Sequence, residues 1–184
     1  MPNRTAHIIG SVLLALAVAG IGIFWTTTRD RPQGPAQEIA GLIGTDVAHP
    51  AISLDTPVPI PMTIYLSPTC GCCEGWVEHI ATKGFEVTLE HRENMTPIKE
   101  EFGVRPEHAS CHTAIVNGYI IEGHVPGDVV RRFLAEAPAV RGLAVPGMPI
   151  GSPGMEAGDA MEPYDVLTFT SEGRTQVYSR EGRN

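Results

Sequence analysis

The chain has 184 residues, of which 18% are charged and 42% are hydrophobic, so we expect a packed core and not wholesale disorder. The formal net charge is −8, and beyond the first 31 positions the chain has 10 basic and 20 acidic residues. Nucleic-acid binding needs a basic face, so this balance argues against a nucleic-acid partner.

The N-terminal region contains an uncharged apolar run at residues 8–25. As a helix, these eighteen residues would rise about 27 Å, close to the roughly 30 Å hydrocarbon core of a bilayer. Residues 1–31 are therefore predicted to be a signal anchor or a signal peptide cut after Ala19. The apolar character continues past Ala19, which favours the anchor. Both alternatives place the rest of the chain outside the cytoplasm if the short N-terminus stays inside.

Residues 32–61 contain six prolines and few aromatic residues. This composition predicts an extended, mostly unpacked linker. His49 lies in this segment, and we expect its side chain to be solvated.

From residue 62 the patterns are those of a folded domain, which we predict to extend to residue 180. Alternating apolar and polar residues indicate strands, apolar residues at helical spacing indicate helices, and Asn117-Gly118 indicates a tight hairpin turn. The predicted elements are strand 62–67, helix 72–83, strand 85–91, helix 97–102 with Thr96 as its cap, strands 112–117 and 119–125, and helix 127–137.

This β-α-β-α-β-β-α order predicts an α/β fold with a mixed sheet. The first two strands, which a helix joins, should be parallel, and the last two antiparallel. The order is that of a thioredoxin-like domain. A loop rich in Gly, Pro and Met follows at residues 141–163, and strands 164–170 and 175–179 are predicted to form an appended C-terminal β-hairpin.

Three of the four cysteines, Cys70, Cys72 and Cys73, lie between the first predicted strand and the first helix. A helix N-terminus stabilises a thiolate, which is both a redox nucleophile and a metal ligand. The Cys70–Cys73 spacing therefore suits disulfide exchange as well as zinc or iron–sulfur ligation. Cys72 is the unusual residue, because a dithiol redox motif needs no third thiol.

The fourth cysteine, Cys111, lies within residues 110–123, a stretch that resembles a segment of glutaredoxins. In such folds this loop faces the C-x-x-C motif, so four thiols are expected to converge. Soft thiolates select Cu(I), Zn(II) or iron–sulfur clusters. The adjacent Cys72 and Cys73 are awkward for one tetrahedral zinc and suit a polynuclear copper(I) cluster. The alternative is a pair of structural disulfides in an oxidising compartment.

Three segments then carry a family resemblance: YLSPTCGCCEGWVEHI, ASCHTAIVNGYIIEGHVP and RGLAVPGMPIGSPGME. They resemble the CopG-type family of copper-resistance proteins over about residues 62–178. The resemblance implies a thioredoxin-like domain exported to the periplasm. It also implies Cu(I) held by Cys70, Cys72, Cys73 and Cys111 as a thiolate cluster, and an oxidoreductase role that interconverts Cu(I) and Cu(II).

Several other side chains are candidate neighbours of this site. His112 and His79 are candidates for a supporting or proton-relay role, and core histidines are the alternative. Met148 and Met155 carry soft thioethers that could assist copper, and gap-filling is the alternative. His124, at the end of the hairpin, is a further candidate, whereas His91 and His108 are expected to be solvated.

The sequence thus predicts a periplasmic copper-binding protein of copper resistance, anchored in the inner membrane or secreted. Its four cysteines would hold Cu(I) in preference to zinc, and Cys70 and Cys73 would exchange electrons. Copper exporters or periplasmic copper oxidases are the expected partners. Two alternatives stay open: a thiol–disulfide oxidoreductase acting on proteins, and a copper chaperone or buffer without redox activity.

Overall fold

The computed structural model describes residues 45–53 and 58–183. Within these residues, three α-helices pack against one seven-stranded sheet, with a single 3₁₀ turn at Pro106–His108. The helices are α1 (Gly71–Thr82), α2 (Thr96–Glu101) and α3 (Gly127–Glu136). The strands are β1 (Ile60–Leu66), β2 (Phe85–His91), β3 (Thr113–Val116), β4 (Tyr119–Glu122), β5 (Gly142–Ala144), β6 (Tyr164–Phe169) and β7 (Thr175–Glu181).

The sheet has the strand order β2-β1-β3-β4-β5-β6-β7. β1 pairs in parallel with β2 and antiparallel with β3, and β3 pairs antiparallel with β4. The predicted α/β class, the element order up to α3 and both strand directions are therefore confirmed. Trp76 of α1 and Phe133 of α3 are fully buried against the sheet, which fixes the two long helices over it.

The C-terminal hairpin is joined to the main sheet. Residues 141–163 were predicted as loop, but they contain β5, which runs parallel to β4 and antiparallel to β6. A Cβ at Gly142 would lie 1.8 Å from the Ile120 carbonyl oxygen, so this strand needs a glycine for its backbone approach. The hairpin of β6 and β7 thus extends one continuous sheet.

The expectation that His49 is solvated is wrong, because its side chain is only 3% exposed. Its ring lies 4.3 Å from the Tyr119 ring, and Asn117 Nδ2 donates a hydrogen bond to the Pro50 carbonyl at 2.7 Å. A Cβ at Gly118 would lie 2.4 Å from the His49 ring. The glycine of the hairpin turn therefore makes room for this segment to pack against the domain.

The same expectation is wrong for His108, which is 1% exposed and stacks on Phe169 with ring centroids 5.0 Å apart. His91 is exposed, as expected. The predicted membrane helix at residues 8–25 lies outside the described residues. Within residues 45–53 and 58–183, no helix is both long and apolar enough to cross a membrane.

Candidate metal centre

The first three cysteines lie just before and within the first turn of α1, after the end of β1. Cys70 precedes the helix, and its carbonyl accepts the backbone N–H groups of Cys73 and Glu74 at 3.1 and 3.3 Å. This first turn brings Cys70 and Cys73 together, and the two form a disulfide. Cys73 is fully buried in the core, whereas Cys70 and Cys72 are partly exposed.

Cys111 reaches the same end of the sheet because it precedes β3. The pairing of Tyr65 with Thr113 places the start of β3 beside the end of β1. Cys111 Sγ lies 3.9 Å from Cys72 Sγ. The sulfur atoms of all four cysteines lie within 4.8 Å of one another, so the predicted convergence of four cysteines is confirmed.

The site is in a partly oxidised state, with Cys70 and Cys73 bonded and Cys72 and Cys111 free. A four-thiolate site requires reduction of this disulfide by two electrons and loss of the thiol protons, because the thiolate is the metal ligand. Burial, followed by the nearby Cys72, raises the pKa of Cys111 to about 12. Cys111 is therefore a protonated thiol at neutral pH in this state.

Two histidines join Cys111 in a second group of metal-compatible side chains. His124 Nε2 lies 2.9 Å from Cys111 Sγ, and His124 Nδ1 lies 2.8 Å from the Pro153 carbonyl oxygen. A carbonyl oxygen only accepts, so Nδ1 carries the proton and Nε2 presents a lone pair to the sulfur. Burial lowers the pKa of His124, which favours this neutral form. His124 can accept the Cys111 proton or donate its lone pair to a metal.

His112 is fully buried, and its Nδ1 lies 3.5 Å from Cys111 Sγ. Its ring packs 4.3 Å from the Trp76 ring and 5.0 Å from the His124 ring. Burial, followed by the proximity of His124 and Lys99, holds the pKa of His112 well below its usual range. Among residues 45–53 and 58–183, nothing hydrogen-bonds His112 Nε2.

His79 lies elsewhere in the fold. Its Nε2 accepts a hydrogen bond from the Gly127 N–H at 3.0 Å, so it binds the start of α3. It is not part of either metal-compatible group found among the described residues. Burial lowers the pKa of His79 and favours the neutral ring that this hydrogen bond requires.

The loop that carries Met148 and Met155 lies against the cysteine helix. A Cβ at Gly154 would lie 2.5 Å from the Cys72 carbonyl oxygen and 2.5 Å from the Trp76 nitrogen. The loop backbone therefore touches the first turn of α1. Met155 is half-buried next to this contact, and Met148 is 53% exposed.

His124 is the neighbour of Cys111 that the sequence reasoning undervalued. The register of the β3–β4 hairpin, which pairs Thr113 with Glu122, indicates that His124 lies near Cys111. Continuing that antiparallel register by two residues places His124 opposite Cys111. The bond from the Gly123 N–H to the His112 carbonyl, 3.0 Å long, continues the ladder in that direction.

Comparison with known proteins identifies the family. Two solved structures, forms 1 and 2 of copper resistance protein CopG, are each 37% identical to this chain. Form 1 has a TM-score of 0.64 over 68% of this chain and 99% of its own length, and form 2 has 0.63 over 66% and 98%. The chain belongs to the CopG family of copper-resistance proteins. The predicted family is therefore confirmed.

A family model described as "Protein of unknown function, DUF411" matches residues 108–155. This segment contains Cys111, His112, His124 and the loop that touches α1. A search of curated proteins finds no match.

Proposed function

We propose that this protein binds copper in copper resistance, with Cu(I) held by the thiolates of the reduced four-cysteine site. The observation that carries the proposal is the approach of all four sulfur atoms to within 4.8 Å of one another. Thiolate and imidazole ligands suit Cu(I), and neither metal-compatible group among the described residues contains a carboxylate. The adjacency of Cys72 and Cys73 favours a copper cluster over a single tetrahedral zinc.

The site would also interconvert Cu(I) and Cu(II), with copper as substrate. Two Cu(II) ions each take one electron from the Cys70 and Cys73 thiols. The products are two Cu(I) ions, one Cys70–Cys73 disulfide and two protons. A partner thiol reductant must return two electrons and two protons to complete the cycle. The disulfide between these two cysteines supports this assignment, because it is the oxidised form that the step requires.

The neighbouring side chains have supporting roles in this proposal. His124, whose Nε2 lies beside Cys111 Sγ, would take the Cys111 proton when metal binds, and His112 would support the site as a buried, neutral ring. Met148 and Met155 would assist copper entry from the loop over α1. His79 would act at longer range through the start of α3.

The proposal includes a thioredoxin-like fold, which the strand directions and the cysteines at the α1 N-terminus support. It also places a leader or anchor at residues 1–31, a linker at 32–61 and the metal-binding domain at 62–180, in the periplasm at the inner membrane. Copper exporters or periplasmic copper oxidases would receive the ion.

An anaerobic Cu(I) titration against a chromophoric competitor tests the proposal on the fully reduced protein. Wild type is expected to bind Cu(I), and Cys111→Ser is expected to lower both stoichiometry and affinity. Circular dichroism of the variant provides the folding control. Unchanged stoichiometry and affinity in a folded Cys111→Ser protein would refute the four-thiol site.

A second candidate is a thiol–disulfide oxidoreductase that acts on proteins, and the partly exposed Cys70 in a disulfide favours it. An insulin-reduction assay without metal separates this candidate from the copper-binding one. Robust turnover would support the thiol–disulfide oxidoreductase. A copper chaperone or buffer without redox activity is the third candidate. Such a protein would bind Cu(I). On addition of Cu(II), it would neither reduce the ion nor form the Cys70–Cys73 disulfide.

A further inference from the structure

A buried carboxylate lies behind the cysteine site. Glu122, at the end of β4, has a side chain with no exposed surface. A buried carboxylate is unfavourable unless it is paired and hydrogen-bonded. Glu122 has both kinds of partner: the ammonium group of Lys99, which comes from α2, and two hydrogen-bond donors at and just before the start of β3.

The two donors lie on either side of Cys111 and His112. The Ser110 N–H donates to Glu122 Oε1 at 2.7 Å, and Thr113 Oγ1 donates to Glu122 Oε2 at 2.6 Å. Each carboxylate oxygen therefore holds one end of the four-residue segment 110–113. Cys111 is the residue of this segment whose sulfur faces Cys72.

Lys99 fixes the carboxylate in turn. Its Nζ forms an ion pair with Glu122 Oε1 and also donates to Thr113 Oγ1 at 3.2 Å. The lysine side chain is only 14% exposed, so water screens the pair weakly. Ser110 has a second partner, because its hydroxyl donates a hydrogen bond to the Gly147 carbonyl.

We propose that Glu122, fixed by Lys99, is a positioning residue that holds Cys111 against Cys72 by binding the residues on both sides of it. The inference rests on the proposed function, because it concerns the same four cysteines. It adds a buried ion pair, bonded to the residues on both sides of Cys111 and His112, that determines whether the fourth thiol is in place. Without it, the site would keep the three cysteines at the start of α1 and lose the fourth.

The competing explanation is that the ion pair only stabilises the fold. Replacing a buried ion pair by apolar residues of similar size is often neutral or stabilising, whereas removing one partner leaves an unpaired buried charge. The double variant Lys99→Met/Glu122→Leu therefore removes the ion pair and its hydrogen bonds to Ser110 and Thr113 without leaving an unpaired charge. Positioning and stability can be separated in this variant.

Two readouts apply to the double variant, and urea unfolding confirms that it is folded. The first is the rate at which diamide joins Cys72 and Cys111, starting from the protein with the Cys70–Cys73 disulfide. Diamide takes two electrons and two protons from the thiol pair, and peptide mass mapping identifies the bond. The second readout is Cu(I) affinity of the fully reduced protein, measured with a chromophoric competitor.

We expect the double variant to form the Cys72–Cys111 bond at least tenfold more slowly and to bind Cu(I) at least tenfold more weakly, close to Cys111→Ser. A folded double variant that keeps both values within twofold of wild type would overturn the inference. If the double variant does not fold, Glu122→Gln decides, because it keeps the shape and one acceptor. Threefold slower bond formation is then expected, and the wild-type rate would refute the positioning role.

The diamide experiment needs no metal, so it separates this inference from the proposed function. If wild type binds no Cu(I), the copper proposal fails, and the rate of Cys72–Cys111 bond formation still decides whether Glu122 positions Cys111.

Discussion

Gly154→Ala tests whether the loop after β5 is part of the cysteine site. Gly154 has a φ of +83°, and a Cβ there would lie 2.5 Å from the Cys72 carbonyl oxygen and the Trp76 nitrogen. Both atoms belong to the backbone of α1, so neither can move without moving the helix. The methyl group is expected to push the loop away from α1.

The expected loss in the free energy of unfolding has two contributions. A left-handed backbone costs an ordinary residue roughly 1–2 kcal/mol relative to glycine. Overpacking against a rigid neighbour adds typically about 1–3 kcal/mol. Gly154→Ala should therefore lower the free energy of unfolding by about 2–5 kcal/mol.

Gly158→Ala is the matched control within the same loop. Gly158 has a φ of +60°, and a Cβ there would have no atom within 4 Å. It should lose only the backbone contribution, roughly 1–2 kcal/mol. The difference between the two variants isolates the contact with α1.

Urea unfolding of both variants in the disulfide form measures these free energies, with the m-value as a check on two-state behaviour. The same loop supplies the Pro153 carbonyl to His124, so Gly154→Ala should also weaken Cu(I) binding more than Gly158→Ala does. Equal losses of stability and equal affinities in the two variants would refute the docking of the loop on α1.

Three further predictions concern protons and the N-terminal segment. Burial lowers the pKa of His112 in the folded protein, whereas an unfolded histidine titrates near 6.5. The free energy of unfolding should therefore fall as the pH drops below 6.5, by up to about 1.4 kcal/mol per pH unit for this group. Urea unfolding at pH 7.5 and 5.5 should therefore give a smaller pH effect in His112→Phe, and an unchanged effect would contradict this. Because the pKa of Cys111 is about 12, its alkylation by iodoacetamide should keep accelerating up to pH 10.5, and a plateau near pH 9 would contradict this. Gly118→Ala, whose methyl group would meet the His49 ring, should make residues 45–53 more sensitive to protease than in wild type, and wild-type sensitivity would argue against their docking there.

Strong local patterns were sufficient to predict most of the central fold. The alternation in Phe85–His91 gave the bounds of β2, and the Asn117-Gly118 turn placed the β3–β4 hairpin. β5 was missed because three residues, Gly142–Ala144, are too few for a periodic signal. Its place in the sheet comes from the close approach of Gly142 to Ile120, which is a tertiary contact.

The candidate site could be predicted in part. The close spacing of three cysteines at a strand–helix junction was enough to predict a site there. A resemblance to glutaredoxins predicted that Cys111 faces these cysteines. The burial of His49 and His108 could not be predicted, because a lone histidine in a connecting segment has no periodicity. The Glu122–Lys99 pair was missed for a similar reason: α2 and β4 are separate in sequence, and only the packed fold brings them together.

X-ray absorption at the copper edge, with metal analysis, tests the central claim most directly. The sample is the anaerobically reduced protein, loaded with Cu(I) and desalted, with Cys111→Ser treated in parallel. The account predicts that wild type retains copper with a shell dominated by sulfur, and that the variant retains less copper with fewer sulfur neighbours. Loss of copper from wild type on desalting, or a shell dominated by nitrogen and oxygen, would contradict it.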